Sequence, residues 1–583
     1  MYNKEDNQLD DFFGLKPESH KKIADLQKLP IKKRGFKETI LSIPQLLSKK
    51  ERYLILTLFF VILGSLIAAP IGAFFHYTQT APNYGGSFVE GIVGEPRYIN
   101  PLLSRTNDAD RDIVSLIYSG LMKYNEEGKI VPDLIKSYEV SSDGLNYTIY
   151  LKENARWHDG AKVTADDVIF TILTAQNSDY GSPERINWSG VDMEKIGEYA
   201  FIFKLKNKYA QFLNNLTVHI LPKHLWQDIK PINFAFSELN LKPIGSGPYR
   251  FSKFKKSGNG RVVSYELEAN RTYHEGRPYI ESIEFKFFDL EDELIDNYNR
   301  NDLDSIGAVS SKNLKKIKFK QRLNIHQLNI PRYFAIFFNQ NQSKVLSDKN
   351  IRLALSHATN KEELAQKVLE NNGSTVDAPL SKTLFEISDD LKKYEYDLEK
   401  ARSYLPTAVA SGSEQIKLKL STSSWPELTE VASLLKEQWA KIGVELTIEI
   451  MQTPELQQII KERNYEMLLF GEVLSPDPDP FSLWHSTQKR DPGLNLALYD
   501  NKDADKLLED GRLTLNPNER LKKYVEFQKL LVGDIPAIFL YNPFYLYPQA
   551  KHIKGSEMSV IGTPSDRFSN VAKWFIETKR TLK

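Results

Sequence analysis

A chain of 583 residues, 41% of them hydrophobic, holds enough apolar material for two or three domains with sizeable cores, at ~100–200 residues per domain. Its 77 Lys and Arg against 76 Asp and Glu leave a formal net charge of +1, so no global field draws it to nucleic acid and any charge recognition is local. It contains no cysteine, which excludes disulfides, thiolate metal sites, cysteine nucleophiles and tethering through a lipidated cysteine.

The first feature along the chain is YLILTLFFVILGSLIAAPIGAFF, residues 53–75, 23 residues without a charge. As a helix it spans about 34 Å, enough to cross a bilayer. A cleaved signal peptide would place an apolar run of ~7–15 residues behind a short basic start, whereas here 52 residues precede a longer stretch, which favours an uncleaved anchor. Lys32, Lys33, Arg34, Lys37, Lys49, Lys50 and Arg52 crowd the N-terminal flank, and no Lys or Arg lies between Phe75 and Ala81. This asymmetry predicts a cytoplasmic basic segment 1–52, a single transmembrane helix 53–75 and an extracytoplasmic remainder, in the periplasm or at the cell surface.

After the linker TQTAPNYGG the chain alternates strand-like and helix-like segments with no repeat, a mixed α/β pattern. NYTIYLKENARW (146–157) and EYAFIFKLKN (198–207) show the period-two alternation of sheet strands. Between them, TADDVIFTILTAQN predicts a helix capped by Thr164, with Asp166 and Asp167 in its first turn as structural acids. Further on, LTEVASLLKEQWAKIG aligns Leu428, Val431, Leu435 and Ile442 on one helical face and stops at Gly443, after which VELTIEIM reads as a strand.

The order of several motifs carries a resemblance. GGSFVEGIVGEPRYINPLL is followed by Ser119-Gly120-Leu121, the Gly128 turn, Pro132-Asp133-Leu134, Asp143-Gly144, Trp157-His158-Asp159-Gly160 and Ala165-Asp166-Asp167-Val168. Then come LPKHLW, PIGSGPYRF, EANRTYHEGRPYIESIEF, NDLDSI, IRLALSHATNKEEL, PDPDPFSLW and NPNERLKKYVEFQKLLVGDIPAIFLY. This series resembles the solute-binding proteins of the dipeptide, oligopeptide and nickel class (family 5) that serve ABC importers, over nearly the whole outer portion. The resemblance implies a two-lobed periplasmic-binding-protein-like α/β fold with an extra subdomain in lobe I. It places lobe I at 84–331, lobe II at 332–540 and a C-terminal return to lobe I at 541–583, with RYFAIFFNQ and PAIFLYNP as hinge crossings. It implies capture of an oligopeptide or related solute for delivery to permease and ATPase subunits, and no cofactor.

By the same resemblance, segments 93–98, which include Glu95, and 465–474 would wall the ligand cleft. Peptide-binding members place an aspartate for the ligand's amino group where this chain has Leu474, and Glu472, on the same strand face, is the candidate substitute. Trp425 and Trp484 are candidate aromatic walls, with core packing as the alternative for each. Asp477 and Asp479 read as parts of a turn rather than a cation site, and His158 and His224 as hydrogen-bonded structural residues; no metal site is expected. A hydrolase is the alternative from another class: Ser433 and Lys436 have Ser-x-x-Lys spacing, but no Lys-Thr-Gly, His-Glu-x-x-His or Gly-x-Ser-x-Gly accompanies them. The Gly245-Ser246-Gly247 run reads as a tight turn. A non-peptide solute, or a receptor signalling through the single helix, are the remaining alternatives.

Overall fold

The computed structural model describes residues 48–380 and 391–583, so the basic residues Lys32, Lys33, Arg34 and Lys37 lie outside the described residues. The described residues divide into two units, one running up to Ala81 and including Lys579–Lys583, the other Pro82–Thr578.

In the first unit the apolar run forms one helix, Lys49–Tyr77. Ser48 caps it reciprocally with Glu51: the Ser48 amide donates to Glu51 Oε2 at 2.7 Å and the Glu51 amide to Ser48 Oγ at 3.4 Å. None of its residues is buried, so every apolar side chain faces outward. Such a surface is stable in hydrocarbon and not in water. The Thr57 hydroxyl donates to the Tyr53 carbonyl at 2.8 Å, leaving no polar demand within the apolar run at that point. Strand Thr78–Pro82 follows the helix directly and pairs with strand Thr578–Leu582.

The second unit is built on two large sheets. The first has seven strands, ordered Leu323–Leu328, Tyr545–Ala550, Ser305–Ile306, Ser87–Val93, Ser282–Phe288, Val262–Ala269 and Tyr249–Lys256. The second has six, ordered Gly373–Thr375, Ala537–Pro543, Arg332–Phe338, Met467–Val473, Ile416–Ser423 and Val444–Met451. A further four-stranded antiparallel sheet contains the two period-two segments as Asn146–Leu151 and Ala200–Leu205, and its inner face packs into the core of the seven-stranded sheet. The result is a two-lobed α/β fold with an added subdomain on the first lobe.

The chain passes between the large sheets twice, at 329–331 and at Phe544, each time directly from one strand into the next. Strands Arg332–Phe338 and Ala537–Pro543 are neighbours in the second sheet. Their nearly unbroken apolar sequence has a packing cause: Phe334, Ile336 and Phe338 enter one hydrophobic core while Tyr333, Ala335 and Phe337 enter another on the opposite face. A strand covered on both faces has no reason to alternate.

The predicted helix caps and stops hold. The Asp167 carboxylate accepts from the Thr164 amide at 2.8 Å and its hydroxyl at 3.1 Å, and its other oxygen accepts from the Lys223 amide at 2.9 Å. Helix Pro426–Ala440 buries Leu428, Val431 and Leu435, and Gly443 follows at φ 82° before strand Val444–Met451. The Gly245-Ser246-Gly247 turn lies against the end of helix Asp108–Ile117 so closely that a Cβ on Gly245 would sit 1.9 Å from the Ile117 carbonyl oxygen. The glycine is required there for close approach of two backbones.

Candidate functional site

The second unit contains a cavity of about 410 Å³. Its walls come from segments far apart in sequence. Helix Asp108–Ile117 contributes Arg111, Val114 and Ser115, and the turn after it contributes Tyr118 and Ser119. Lys123, Asp133 and His219 stand in another part of the wall. Ser475, from the loop following strand Met467–Val473 of the second lobe, and Thr563, Ser565 and Asp566, from the returning chain, complete it. A volume of this size falls at the lower end of the ~300–1,000 Å³ range of small-ligand sites.

The second lobe's loop SPDPDP is held against the first lobe by a set of hydrogen bonds. Gln211 Nε2 donates to the Pro478 carbonyl at 3.0 Å and Asn214 Nδ2 to the Asp477 carbonyl at 3.1 Å. Asp479 receives Nε and Nη2 of Arg512 at 2.8 and 2.6 Å, and Asp477 receives Nη2 of Arg520 at 2.7 Å. Both acids are therefore consumed by guanidinium partners that fix the turn, in keeping with a structural reading. The loop is also what places Ser475 in the cavity wall.

The wall carries both cations and carboxyls. Arg111 donates from Nη1 to the Arg105 carbonyl at 3.1 Å and pairs through Nη2 with Asp108, while its Nε is buried with no hydrogen-bond partner among the described residues. Burial depresses its pKa. Asp566 is partly buried, and burial pushes its carboxyl up to about 6 against the opposing hydrogen bond from the Thr563 amide at 2.7 Å. Burial acts the same way on Asp133, but His274, at 2.9 Å, and Lys123 outweigh it and hold that carboxyl below its usual range. His219 is pushed down to about 4 by burial and stands neutral. Tyr118 has an unpartnered buried hydroxyl among the described residues.

Asp133, His274 and Glu275 bring their ligand atoms within 4.8 Å of one another. Lys123 Nζ lies against Glu275 and 3.8 Å from Asp133, and Lys152 Nζ is 3.3 Å from Glu275, so ammonium groups stand where a cation would have to sit. In this arrangement the group forms an ion-pair network.

Behind the cavity lies a buried clamp. Arg567, adjacent to Asp566, donates to both oxygens of Asp112 at 2.8 and 2.6 Å and to Glu90 at 3.1 Å, with all three side chains at or near zero exposure. Tyr547 donates to the second oxygen of Glu90 at 3.0 Å. The clamp ties the returning chain to helix Asp108–Ile117, and so fixes Asp566 and Arg111 relative to each other.

None of the five residues singled out from the sequence lies in the cavity wall. Glu95 pairs with Arg261 at 3.2 Å and Arg97 at 3.9 Å. Trp425 caps helix Pro426–Ala440 and is 57% exposed. Glu472, Leu474 and Trp484 are buried on one face of the second sheet: Glu472 is opposite Tyr333 in register and accepts a hydrogen bond from its hydroxyl, and Trp484 Nε1 donates to the same hydroxyl at 3.2 Å. Glu472 and Leu474 do share a strand face, but that face packs into the hydrophobic core. Burial pushes the Glu472 carboxyl up to about 8, so at neutral pH it is mostly protonated and poorly suited to hold an amine.

The remaining expectations fall on structural roles. His158 accepts the Gly245 amide at Nδ1 (3.1 Å), with Nε2 3.2 Å from the Gly247 carbonyl, and His224 pairs with Asp159 at 2.7 Å. Ser433 donates to the Thr429 carbonyl at 2.9 Å, so its hydroxyl is spent on its own helix and the Ser-x-x-Lys spacing has no chemistry behind it.

The profile of the bacterial extracellular solute-binding proteins, family 5 Middle, matches residues 129–493. The chain is 29% identical over 514 residues to the oligopeptide-binding protein AppA of Bacillus subtilis (strain 168), covering 85% of this chain and 92% of that protein. It is 25% identical over 508 residues to the dipeptide-binding protein of Escherichia coli (strain K12), covering 82% and 93%. Among solved structures, B. subtilis AppA in complex with a nonapeptide superposes with a TM-score of 0.69, covering 85% of this chain and all (100%) of that one. NikZ of Campylobacter jejuni with Ni(L-His) gives 0.69 at 26% identity, covering 84% and 99%. CtaP of Listeria monocytogenes gives 0.75 at 26% identity, covering 85% and 100%. These relatives are binding proteins, and the hydrolase alternative gives way with them. A profile match over more than half the sequence and a two-lobed fold shared along the whole outer portion lead to one conclusion: the chain belongs to the bacterial extracellular solute-binding proteins of family 5, the class that serves ABC importers.

Proposed function

We propose that this protein is the membrane-anchored substrate-binding component of an ABC importer, taking up a short peptide between its lobes and delivering it to a permease driven by an ATPase subunit. The observation that carries this reading is the cavity of about 410 Å³ to which both lobes contribute, with Arg111 and Lys123 supplying positive and Asp133 and Asp566 negative charge. A zwitterionic ligand matches such a wall at both ends, and the free termini of a peptide supply one. Lobe I at 84–331 and lobe II at 332–540 would close over the ligand about the crossings at 329–331 and Phe544, with the chain from 541 returning to lobe I.

The apolar helix Lys49–Tyr77 supports an uncleaved single-pass anchor, and Lys49, Lys50 and Arg52 at its start support a cytoplasmic N-terminus. The extracytoplasmic placement of family members agrees with that orientation. A second reading is favoured by the modest cavity volume: a compact, non-peptide zwitterion occupies the same site.

The test is native mass spectrometry of the full chain, purified in detergent after exposure to a peptide-rich extract, with retained molecules released by denaturation. Recovery of peptides, lost on blocking their termini, is the expected result. Recovery of another solute class replaces the peptide assignment while keeping the binding function. Turnover of a supplied substrate without retention defeats both.

A further inference from the structure

The sequence from Glu577 to Lys583, ETKRTLK, holds three basic residues and one acid. Its strand, Thr578–Leu582, pairs with Thr78–Pro82, the segment that leaves the apolar helix, and the Lys583 amide donates to the Tyr77 carbonyl at 3.0 Å. Arg580 is drawn furthest in: Nη1 donates to the Thr78 hydroxyl at 2.9 Å, and its guanidinium lies 4.0 Å from the ring centroid of Phe75 and 5.4 Å from that of Phe74. Phe74, Phe75 and Tyr77 are 52%, 55% and 64% exposed, and Lys579, Arg580 and Lys583 are exposed beside them.

An arginine stacked on aromatic rings at the end of an apolar helix, with two lysines alongside, has the composition of a bilayer interface. The rings suit the boundary between hydrocarbon and headgroups, and the long basic side chains reach from apolar surface to phosphate. Resting on the reading that helix Lys49–Tyr77 spans the membrane, we propose that strand Thr578–Leu582 is a second, lipid-bound tether. Zipped to the first, it presents Lys579, Arg580 and Lys583 to the phosphates of anionic phospholipid in the outer leaflet. Both strands of the ribbon, and not only the one that leaves the helix, then lie at the membrane surface. Exposed strand edges are otherwise left open to unwanted pairing, and a lipid-seated two-stranded ribbon removes that hazard for this segment.

The absence of cysteine makes a single label specific, so Leu582→Cys carries a spin label in the full chain, reconstituted in phosphatidylcholine vesicles with or without phosphatidylglycerol. With phosphatidylglycerol, the label becomes shielded from a water-soluble nickel chelate and placed at headgroup depth, and Thr78–Ala81 amide exchange slows on the order of 100-fold, at ~1 kcal/mol for each of three basic residues. The triple variant Lys579→Gln, Arg580→Gln, Lys583→Gln abolishes both effects, and so does high salt. A label equally water-accessible in both vesicles, or amides that exchange freely in anionic ones, overturns the proposal. Protein that fails to float with either vesicle instead overturns the anchor reading on which it rests.

Discussion

Replacing Glu472 with glutamine tests whether the carboxyl inside the second lobe is a ligand anchor or a neutral core group. The side chain is 6% exposed, its Oε2 accepts from Tyr333, and its Oε1 has no partner among the described residues. Burial raises its pKa from 4.5 to about 8, so the folded protein holds a proton at pH 7 that the unfolded chain releases. A group that binds its proton more tightly when folded contributes stability that is fully present below the unfolded value and is lost as pH rises to the folded one. At 1.36 kcal/mol per pH unit, this one group makes the wild type about 3 kcal/mol less stable at pH 7 than at pH 4.5. Glutamine keeps the shape and the hydrogen bond from Tyr333 and has no proton to lose. For a unit of about 500 residues unfolding together, ~2.1 cal/mol/K per residue gives a rise in melting temperature of about 3 °C at pH 7, vanishing near pH 4.5. The assay is calorimetry of both proteins from pH 4.5 to 8. Glu90 and Asp566, raised to about 7 and about 6, also titrate in this window, so the difference between the two curves is the quantity to read. Ligand affinity stays unchanged. A Gln variant equally stable at every pH, or one that loses the ligand, would refute the reasoning, because either requires an ionised, cavity-directed carboxylate.

Four further outcomes follow from the structure. Arg567→Met leaves Asp112 and Glu90 buried without their cation and should cost about 3–5 kcal/mol by denaturant titration, with most of the loss recovered by adding Asp112→Asn and Glu90→Gln. Asp566→Asn removes a cavity charge while retaining an oxygen for the Thr563 amide, so the melting temperature at pH 7 does not fall, the raised carboxyl no longer having to ionise, and affinity for an amine-bearing ligand falls at least about tenfold by calorimetry. In the wild type the same affinity weakens as pH falls through about 6, where that carboxyl takes up its proton. Trp484→Ala, at a site of zero exposure, costs about 3–5 kcal/mol, whereas Trp425→Ala, 57% exposed, changes stability by less than about 0.5 kcal/mol.

Much of the fold was legible because local rules and the order of motifs agree. The Thr164 cap, the Gly443 stop and the alternation in 146–157 and 198–207 each encode a structure within a dozen residues, and tertiary packing did not override them. The site was less legible for a physical reason. Arg111, Asp133, Ser475 and Asp566 are brought together by chain crossings between two sheets, and nothing in the spacing of one sequence reports which polar residue of a capped helix faces a cavity. Glu472 shows the limit most clearly. Period-two geometry fixes that it shares a face with Leu474, but a strand in a sheet covered on both sides has two buried faces and no solvent side, so parity carries no information about ligand access. The fact that decides its role is the register that sets it opposite Tyr333, with Trp484 donating to the same hydroxyl, a triad spanning 151 positions of the chain. In this chain the carboxylates that face the cavity are Asp133 and Asp566, so a partner for a ligand amine is better sought there than at the positions neighbouring Leu474 on the same strand.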